Sequence, residues 1–415
     1  MNTNIFDVVV IGSGALGAST AFHLTQLGRH VCLVDQAAIS SQTSVRAAGL
    51  TGQARQTENM TRLAIHAVQK IRKFKEETGE PLVFVESGSM SVARLVEDEQ
   101  LLRERVVKAQ QYGVGTQLIS AEEAAEKMPF LVPRGIRAVS FTPSDLYLEA
   151  AQIPVGYSAA AQKRGATLLA GTRVQMITDE RNGRLRVSTD QGELLARAVV
   201  DAAGGWARRI AKMTGWAMPI IPVVNQLLVT TPISGVEPTQ PITRILDANI
   251  CVRPDRGGLL LGGYEKSPTW LNMDAPDPHF RVENLELDIG ILRRLANDVA
   301  EQLPVFKNAQ IREHRGGIPT MTADGHHIVG AIPGVPGLYV IGGCNVAGLS
   351  ISPALGEQLA QLIVHGTTTF DISDMSPDRF TPQLTEDELK ARCSQRYTSY
   401  YTYRFSEAAA ASRPA

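Results

Sequence analysis

The 415-residue chain contains only four cysteines, and they lie far apart. Cys32, Cys251, Cys344 and Cys393 form no CxxC pair, which argues against a zinc ribbon, a redox dithiol or a disulfide framework. No metal site is predicted. Free thiols are typical of a reducing compartment, and we therefore expect a cytoplasmic protein.

The chain also lacks an excess of charge of either sign. Lysine and arginine number 41 and aspartate and glutamate 42, which gives a formal net charge of −1. A charge balance of this kind favours neither nucleic acid nor an anionic membrane as a partner. We expect a small-molecule substrate and no nucleic acid.

Long hydrophobic runs are missing as well. The segment VVVIG at 8–12 is too short for a membrane span, and the N-terminal MNTNIFD has no basic region typical of a signal peptide. We therefore predict neither a membrane span nor secretion. The tail at 406–415 has no periodicity and is predicted to be disordered.

The length and the 44% hydrophobic content predict two domains. Buried-strand and helix patterns alternate at the N-terminus, whereas residues 219–318 shift towards a period of two, with one helix near 283–302. The predicted fold is therefore α/β: a Rossmann-like nucleotide-binding domain and a second α+β substrate domain built on an antiparallel sheet. The predicted ranges are 1–80, 145–218 and 319–370 for the first domain, 81–144 and 219–318 for the second, and 371–405 for a C-terminal extension.

The segment GSGALG carries a dinucleotide-binding pattern between a strand and a helix. Gly12 permits a tight turn, Gly14 lets a pyrophosphate approach the backbone, and Gly17 lets helix and strand pack closely. Asp35 follows the next strand, where a carboxylate binds ribose hydroxyls and disfavours a 2′-phosphate. We predict a dinucleotide other than NADP, with a purely structural glycine turn as the alternative.

Two later segments separate FAD from NAD. In VVDAAGGWA, small residues at 203–205 let the backbone approach a dinucleotide, although an ordinary strand-to-helix turn would have the same composition. In GGCNVAGLSISPALGEQLAQLI, a glycine-rich loop leads into a helix over 352–366 with Pro353 in its first turn. A helix N-terminus there would stabilise negative charge on a reduced flavin.

These motifs, together with VRPDRGGLLLGGYE and PTMTADGHHIVG, resemble the FAD-dependent amine oxidoreductases. That family includes D-amino acid oxidase, sarcosine oxidase, and sarcosine and dimethylglycine dehydrogenases. The resemblance covers most of residues 5–370 and implies that Val174 lies on the adenine side of FAD through its backbone. The FAD-binding residues that it implies are Gly12, Gly14, Ala15, Gly17, Asp35, Gln36, Arg46, Ala47, Gly49, Leu50, Val174, Ala203, Gly204, Trp206, Gly343, Gly348, Leu349, Ser350 and Ile351.

Three departures from the family pattern refine this expectation. Arg46 stands where the dehydrogenases have a flavin-linking histidine, and Gly317 aligns with the flavin-linking cysteine of monomeric sarcosine oxidase. We therefore expect non-covalent FAD. Leu260 replaces a lysine that promotes oxygen reduction, which favours a dehydrogenase, although the electron acceptor (oxygen, a quinone or an electron-transfer protein) stays open.

The reaction implied by the resemblance is oxidation of a C–N bond in a small secondary or tertiary amine, an N-methylated or cyclic amino acid. Hydride passes to flavin N5, and the imine is then hydrolysed. A desolvated pocket disfavours the charged ammonium form, so the reaction requires no dedicated base.

An amino-acid carboxylate needs a cation, and arginine suits a bidentate contact. By the resemblance, Arg46, Arg55, Arg253 and Arg315 lie near the flavin, and each has FAD phosphate or a structural ion pair as its alternative partner. The predicted catalytic set comprises Arg253, Tyr264, His326 and Arg315.

Other functions remain open at this stage. One is a D-amino acid or opine dehydrogenase. Another is a flavin-bearing subunit of a hetero-oligomeric electron-transfer complex. Homo-oligomer and hetero-oligomer formation both stay open.

Overall fold

The computed structural model describes residues 5–277, 279–380 and 384–403. The tail predicted to be disordered, 406–415, lies outside the described residues.

The strands are β1 Ile5–Ile11, β2 Val31–Val34, β3 Leu50–Thr51, β4 Phe84–Val85, β5 Ser89–Ala93, β6 Gln117–Ile119, β7 Ala138–Thr142, β8 Leu146–Leu148, β9 Thr167–Leu169, β10 Val174–Asp179, β11 Leu185–Thr189, β12 Gly192–Asp201, β13 Ile220–Pro222, β14 Asn225–Thr230, β15 Ile242–Ile245, β16 Ile250–Asp255, β17 Gly258–Gly263, β18 Ile311–Gly317, β19 Thr320–Thr322, β20 Ile328–Ala331 and β21 Leu338–Gly342. The helices are α1 Ala15–Gln26, α2 Glu58–Arg72, α3 Phe74–Thr78, α4 Val96–Gln111, α5 Ala121–Lys127, α6 Gln152–Lys163, α7 Ala207–Lys212, α8 Ile289–Asp298, α9 Gly348–His365 and α10 Glu386–Thr398.

The first sheet has a parallel centre of five strands in the order β9-β2-β1-β12-β21. Antiparallel β10 and β11 extend β12, and β20 pairs with β21. Helices α1, α6 and α9 pack together over one face, where Val8, Val10 and Phe22 are fully or almost fully buried. Because both faces are covered, the central strands are continuous apolar runs. The carboxyl ends of β1, β2, β12 and β21 therefore meet at one edge of the sheet.

The second sheet has the order β18-β14-β17-β16-β15-β5-β7-β6 and is antiparallel except for the β5–β15 pair. Its side chains alternate between two faces. Leu228, Val252 and Leu261 pack in the core beneath α8, whereas Leu227 and Leu260 lie on the opposite face. That opposite face is turned towards the first sheet.

Two helices differ from their predicted bounds. The helix expected near 283–302 is a 3₁₀ turn at Val282–Asn284 followed by α8, which starts where the Asp288 side chain accepts a hydrogen bond from the Gly290 amide at 2.7 Å. Helix α9 begins at Gly348, so Pro353 lies inside it rather than in its first turn. Proline cannot donate to the Leu349 carbonyl, and the Ser352 hydroxyl donates to it instead at 2.9 Å.

The C-terminal extension forms α10, which starts with a capping box between Thr385 and Glu388. Its buried side chains pack against β13, β19 and Tyr264. The Tyr397 hydroxyl donates to Glu265 at 2.9 Å and accepts from Asn225 at 3.0 Å. The helix ends at Thr398, and the remaining tyrosines continue as a non-helical segment.

Among the described residues, no helix combines the length and the apolar character needed to cross a bilayer.

Candidate active site

A cleft of about 250 Å³ lies between the two sheets. We call it the central cleft. One side consists of the carboxyl ends of the parallel strands, and the other of β14, β16 and β17. The segment 42–50 and the start of α9 close its flanks. Residues from these four parts include Ile11, Val34, Ala202, Gly342, Leu227, Cys251, Gly262, Thr43, Ala48 and Gly348.

The glycine turn at the end of β1 has no space for side chains. Gly12 has a φ of +102°, and a Cβ there would lie 2.5 Å from the Ala202 carbonyl oxygen. A Cβ on Gly17 would lie 1.9 Å from the Gly12 carbonyl oxygen. Helix α1 starts after Gly14 with no acidic side chain in its first turn; the Ser44 hydroxyl accepts a hydrogen bond from the Ala15 amide at 3.0 Å, and Gly14 and Ala15 line the central cleft. Its positive end therefore faces the central cleft, which suits a pyrophosphate.

Asp35 lies where β2 reaches the central cleft. Its Oδ2 accepts hydrogen bonds from the Ser13 amide at 2.9 Å and the Ser13 hydroxyl at 2.5 Å, and its Oδ1 accepts one from the Ala37 amide at 2.9 Å. A carboxylate accepts about four hydrogen bonds, so Oδ1 keeps capacity for one more. Burial raises the pKa of this carboxyl, and the Ser13 contacts oppose the shift.

Most of the predicted cofactor residues line the central cleft: Gly12, Gly14, Ala15, Asp35, Gln36, Arg46, Ala47, Gly49, Leu50, Val174, Ala203, Gly204, Trp206, Gly348, Leu349 and Ser350. Gly17, Gly343 and Ile351 do not. Gly17 packs against the Gly12 carbonyl group and the Ala202 side chain. Gly343 has a φ of +61° and lies against Thr322, and Ile351 borders the second cavity.

A second cavity, of about 310 Å³, shares a wall with the central cleft. The residues common to both cavities are Leu50, Tyr264, Val346, Ala347, Ser350 and Tyr401. The Tyr264 ring stacks on Tyr400 at 3.9 Å between ring centroids, and Tyr401 meets both rings edge-on at 5.4 Å. The tyrosines after α10 therefore form part of this cavity's wall.

The second cavity is rich in arginine, and we call it the arginine chamber. Arg55, Arg105, Arg244 and Arg396 line it, and Asp145 is the one acidic residue among its described lining residues. The Nη2 of Arg55 lies 3.4 Å from the Ser350 hydroxyl, and its Nε is buried without a described partner. Burial lowers the pKa of Arg55, although a guanidinium remains charged at neutral pH.

Two histidines also line the arginine chamber. His327 is 2% exposed, and neither ring nitrogen has a partner among the described residues. Burial, followed by the nearby Arg55 charge, lowers the pKa of His327 to about 3. Burial also lowers the pKa of His326. Both imidazoles are therefore neutral at pH 7.

Two of the predicted catalytic residues lie outside both cavities. Arg253 donates to the Ala48 carbonyl at 2.7 Å and pairs with Asp255 at 3.1 Å. Arg315 donates to the Arg46 carbonyl at 3.2 Å and pairs with Glu313 at 2.5 Å. The structure thus places both guanidiniums where they attach segment 46–48 to the second sheet, because main-chain oxygens and neighbouring carboxylates already hold them.

Several chamber residues were missed in the sequence. Arg244 lies in the strand β15, whose other residues are buried. A charged residue in an otherwise buried strand is the local signal that could have identified Arg244. Tyr400 and Tyr401 lie beyond the end of α10 at Thr398 and line the chamber from there. Arg55 was one of four candidate arginines, and nothing in the sequence favoured it over the others.

A parallel sheet with a glycine turn, facing a second sheet across a cleft and bordered by a cation-lined chamber, is typical of a dinucleotide-dependent enzyme. The chain belongs to the DAO family of FAD-dependent oxidoreductases, whose family model matches residues 7–362. This match confirms the predicted family, the fold class and FAD as the cofactor.

Individual relatives agree with this family. The chain is 30% identical to human mitochondrial dimethylglycine dehydrogenase over 401 residues, which cover 94% of this chain and 46% of that protein. It is 29% identical to the formaldehyde-forming 4-methylaminobutanoate oxidase of Paenarthrobacter nicotinovorans over 395 residues, 93% of this chain and 47% of that protein. The chain thus spans about half the length of these two relatives.

A solved structure extends the comparison to the whole fold. The L-proline dehydrogenase from P. horikoshii superimposes with a TM-score of 0.82 at 25% identity, covering 92% of this chain and 99% of that one.

Proposed function

We propose that this chain, with bound FAD, oxidises the C–N bond of a small secondary or tertiary amino acid whose carboxylate binds Arg55. The position of Arg55 carries this proposal. It lies in the arginine chamber beside Ser350, which also borders the central cleft. Arg253 and Arg315 are already held by main-chain oxygens and carboxylates, so we assign the substrate carboxylate to Arg55 instead.

The central cleft fits FAD. The glycine turn and the N-terminus of α1 would hold the pyrophosphate, Asp35 the ribose, and the 203–206 turn with the start of α9 the remainder. Bound FAD would supply the two-electron acceptor. Tyr264, which borders both cavities, would then lie between the cofactor and the bound amine.

The arginine chamber favours a neutral substrate amine. Burial disfavours an ammonium ion, and neighbouring guanidinium charges disfavour it further. The unpartnered nitrogens of His327 offer a hydrogen-bond acceptor there, since this imidazole is neutral. The substrate's lone pair is therefore available without a dedicated base.

The relatives support an amine substrate. Two of them, the dimethylglycine dehydrogenase and the 4-methylaminobutanoate oxidase, are named for oxidation of an N-methylated amine, and the L-proline dehydrogenase for oxidation of a cyclic amino acid. We propose that this chain likewise oxidises N-methylated or cyclic amino acids. As in the sequence analysis, Leu260 in place of the family's lysine favours a dehydrogenase over an oxidase.

The test is anaerobic bleaching of the flavin absorbance by sarcosine, dimethylglycine, longer N-methyl amino acids, proline and D-amino acids. We expect an N-methylated or cyclic amino acid in this panel to bleach it faster than any primary D-amino acid. Arg55→Met should lower kcat/KM for that compound by about 10- to 100-fold, the effect of losing one charged hydrogen bond.

Arg137→Met is the matched control, because Arg137 is an exposed arginine paired with Glu99 outside the arginine chamber. It should leave kcat/KM unchanged. Fully loaded protein that no amine in the panel bleaches would refute the proposed reaction. Bleaching that is equally fast in Arg55→Met would refute the role of Arg55.

A further inference from the structure

Arg55 and Arg244 enter the arginine chamber from separate parts of the fold. Arg55 lies in the loop before α2, and Arg244 lies on β15 of the second sheet. In the described ranges, the Arg244 guanidinium makes no hydrogen bond or ion pair, and the Arg55 guanidinium makes one hydrogen bond, to the Ser350 hydroxyl at 3.4 Å. Two guanidiniums thus border one cavity without a carboxylate partner, which is costly unless a ligand supplies the charge.

Asp145 does not compensate both charges. Its Oδ1 accepts from the Gln53 amide at 2.9 Å, and its Oδ2 accepts from the Ser89 hydroxyl at 2.6 Å. Neither arginine forms an ion pair with it among the described contacts. One carboxylate, already hydrogen-bonded, therefore faces two cations.

Arg253, Arg312 and Arg315, the other arginines on the strands of the second sheet, are paired with carboxylates. Arg253 lies 3.1 Å from Asp255, and Arg94 lies 2.5 Å from Asp247. The unpaired state of Arg55 and Arg244 is therefore a property of the arginine chamber rather than of this sheet.

On the basis of the proposed function, we infer that the substrate carries two carboxylates, one on each arm of a secondary amine, as in N-(carboxyalkyl) amino acids. Arg55 binds one carboxylate and Arg244 the other. The two contacts hold the amine and its neighbouring C–H bond between them, beside the wall that the chamber shares with the central cleft. Arg244 is then the residue that distinguishes a diacid from a mono-acid.

The reaction balances with water as the only other reactant. The C–H bond next to nitrogen breaks, its hydrogen and electron pair would pass to FAD as the oxidant, and the N–H proton passes to water as the imine forms. Water adds to the imine carbon, and the C–N bond breaks to give an oxo acid and a primary amino acid. Reduced FAD carries the two electrons.

The experiment compares sarcosine with iminodiacetate, which differ only in the second carboxylate. Anaerobic flavin reduction is measured with purified holoenzyme of the wild type, Arg244→Met, Arg244→Lys and the control Arg137→Met. We expect kcat/KM for iminodiacetate to exceed that for sarcosine by about 10- to 100-fold in the wild type and in Arg137→Met. Arg244→Met should abolish this preference, and Arg244→Lys should restore part of it.

A binding measurement accompanies the kinetics. Diglycolate has the two carboxylates but no oxidisable amine, and methoxyacetate has one. Diglycolate should perturb the flavin spectrum at concentrations about 10-fold lower than methoxyacetate, and this difference should disappear in Arg244→Met. The melting temperature of each variant is measured alongside, so that a loss of diacid preference can be separated from a loss of folded protein.

The outcomes separate the two proposals. If sarcosine and iminodiacetate reduce the flavin equally well, the inference that the substrate carries a second carboxylate is wrong, while the proposed function stands. If neither these two compounds nor the wider amine panel reduces it, the proposed function fails. If the diacid preference persists in Arg244→Met, the assignment to Arg244 is overturned.

Discussion

Residues of the same type have different roles here because of what accepts their hydrogen bonds. Arg253 and Arg315 donate to main-chain oxygens of segment 46–48, whereas Arg55 and Arg244 border a cavity. The same reasoning applies to carboxylates. Asp255 pairs with Arg253, but Asp201 is fully buried at the end of β12, and its Oδ2 has no described partner.

Asp201 should make stability depend on pH. Burial raises the pKa of Asp201 to about 8, far above the value of about 3.9 that is ordinary for an aspartate. Between these values the folded protein holds the proton and the unfolded chain has lost it, so the free energy of unfolding should fall as pH rises, by about 1.4 kcal/mol per pH unit. Asp201→Asn should remove this slope and keep the acceptor for the Ala203 amide, which donates to Oδ1 at 3.1 Å.

Urea denaturation between about pH 5 and pH 8 checks this prediction. Glu301→Gln, which changes an exposed acid, is the control and should keep the wild-type slope. Equal slopes in Asp201→Asn and the wild type would show that Asp201 is ionised in the fold.

At the scale of elements, the β1–α1 turn and helix α9 define the central cleft. The turn brings the backbone close enough to Ala202 that only glycine fits at position 12. Helix α9 contains an internal proline, which it tolerates because the Ser352 hydroxyl bonds the carbonyl that proline leaves free. The first residues of α1 and α9 line the central cleft, so each helix would direct its positive N-terminus at the cofactor.

Gly17→Ala should disrupt the turn. Its methyl group would meet the Gly12 carbonyl oxygen at 1.9 Å and the Ala202 side chain at 3.0 Å, so the turn must shift. We expect a loss of about 1–3 kcal/mol in the free energy of unfolding and a lower flavin-to-protein absorbance ratio.

Gly115→Ala is the matched control, because a Cβ there meets nothing within 4 Å and its φ is not left-handed. It should change stability by less than about 0.5 kcal/mol and leave the flavin content unchanged. Full flavin content in Gly17→Ala would show that the turn tolerates the methyl group.

For the whole molecule, the two sheets face each other across the central cleft. Arg253 and Arg315 connect segment 46–48 to the second sheet, and α10 packs against β13, β19 and Tyr264. A cofactor in the central cleft would contact both sheets, so its binding would stabilise the native fold by mass action.

We predict that FAD is bound without a covalent link. The Cβ of any residue at 317 would lie 2.8 Å from the Thr43 methyl carbon, and the guanidinium of Arg46 pairs with Glu283 at 3.2 Å. Acid precipitation should therefore release all the flavin into the supernatant. Free FAD at about 100 times its Kd should stabilise the protein by about 2.7 kcal/mol, seen as a higher melting temperature.

Cys344 provides the control for this prediction, since it is a free thiol that lines the central cleft. Flavin that stays in the pellet of the wild type but not of Cys344→Ser would identify a thioether and contradict non-covalent binding.

FAD as the cofactor could be predicted from short stretches of consecutive residues. The roles of Gly12, Gly14 and Gly17 depend on neighbours within one turn, and the apolar runs around them follow from the periodicity of buried strands and helices. Local geometry of this kind is encoded in consecutive residues and can be inferred from them.

Only the tertiary structure decided which side chains form the arginine chamber. Arg55, Arg244, Tyr264 and Tyr400 are far apart in the chain, and each belongs to a different element. Whether a guanidinium meets a carboxylate, a carbonyl oxygen or an open cavity depends on how those elements pack. The cofactor was therefore predictable from the sequence, whereas the arginine that binds substrate was not.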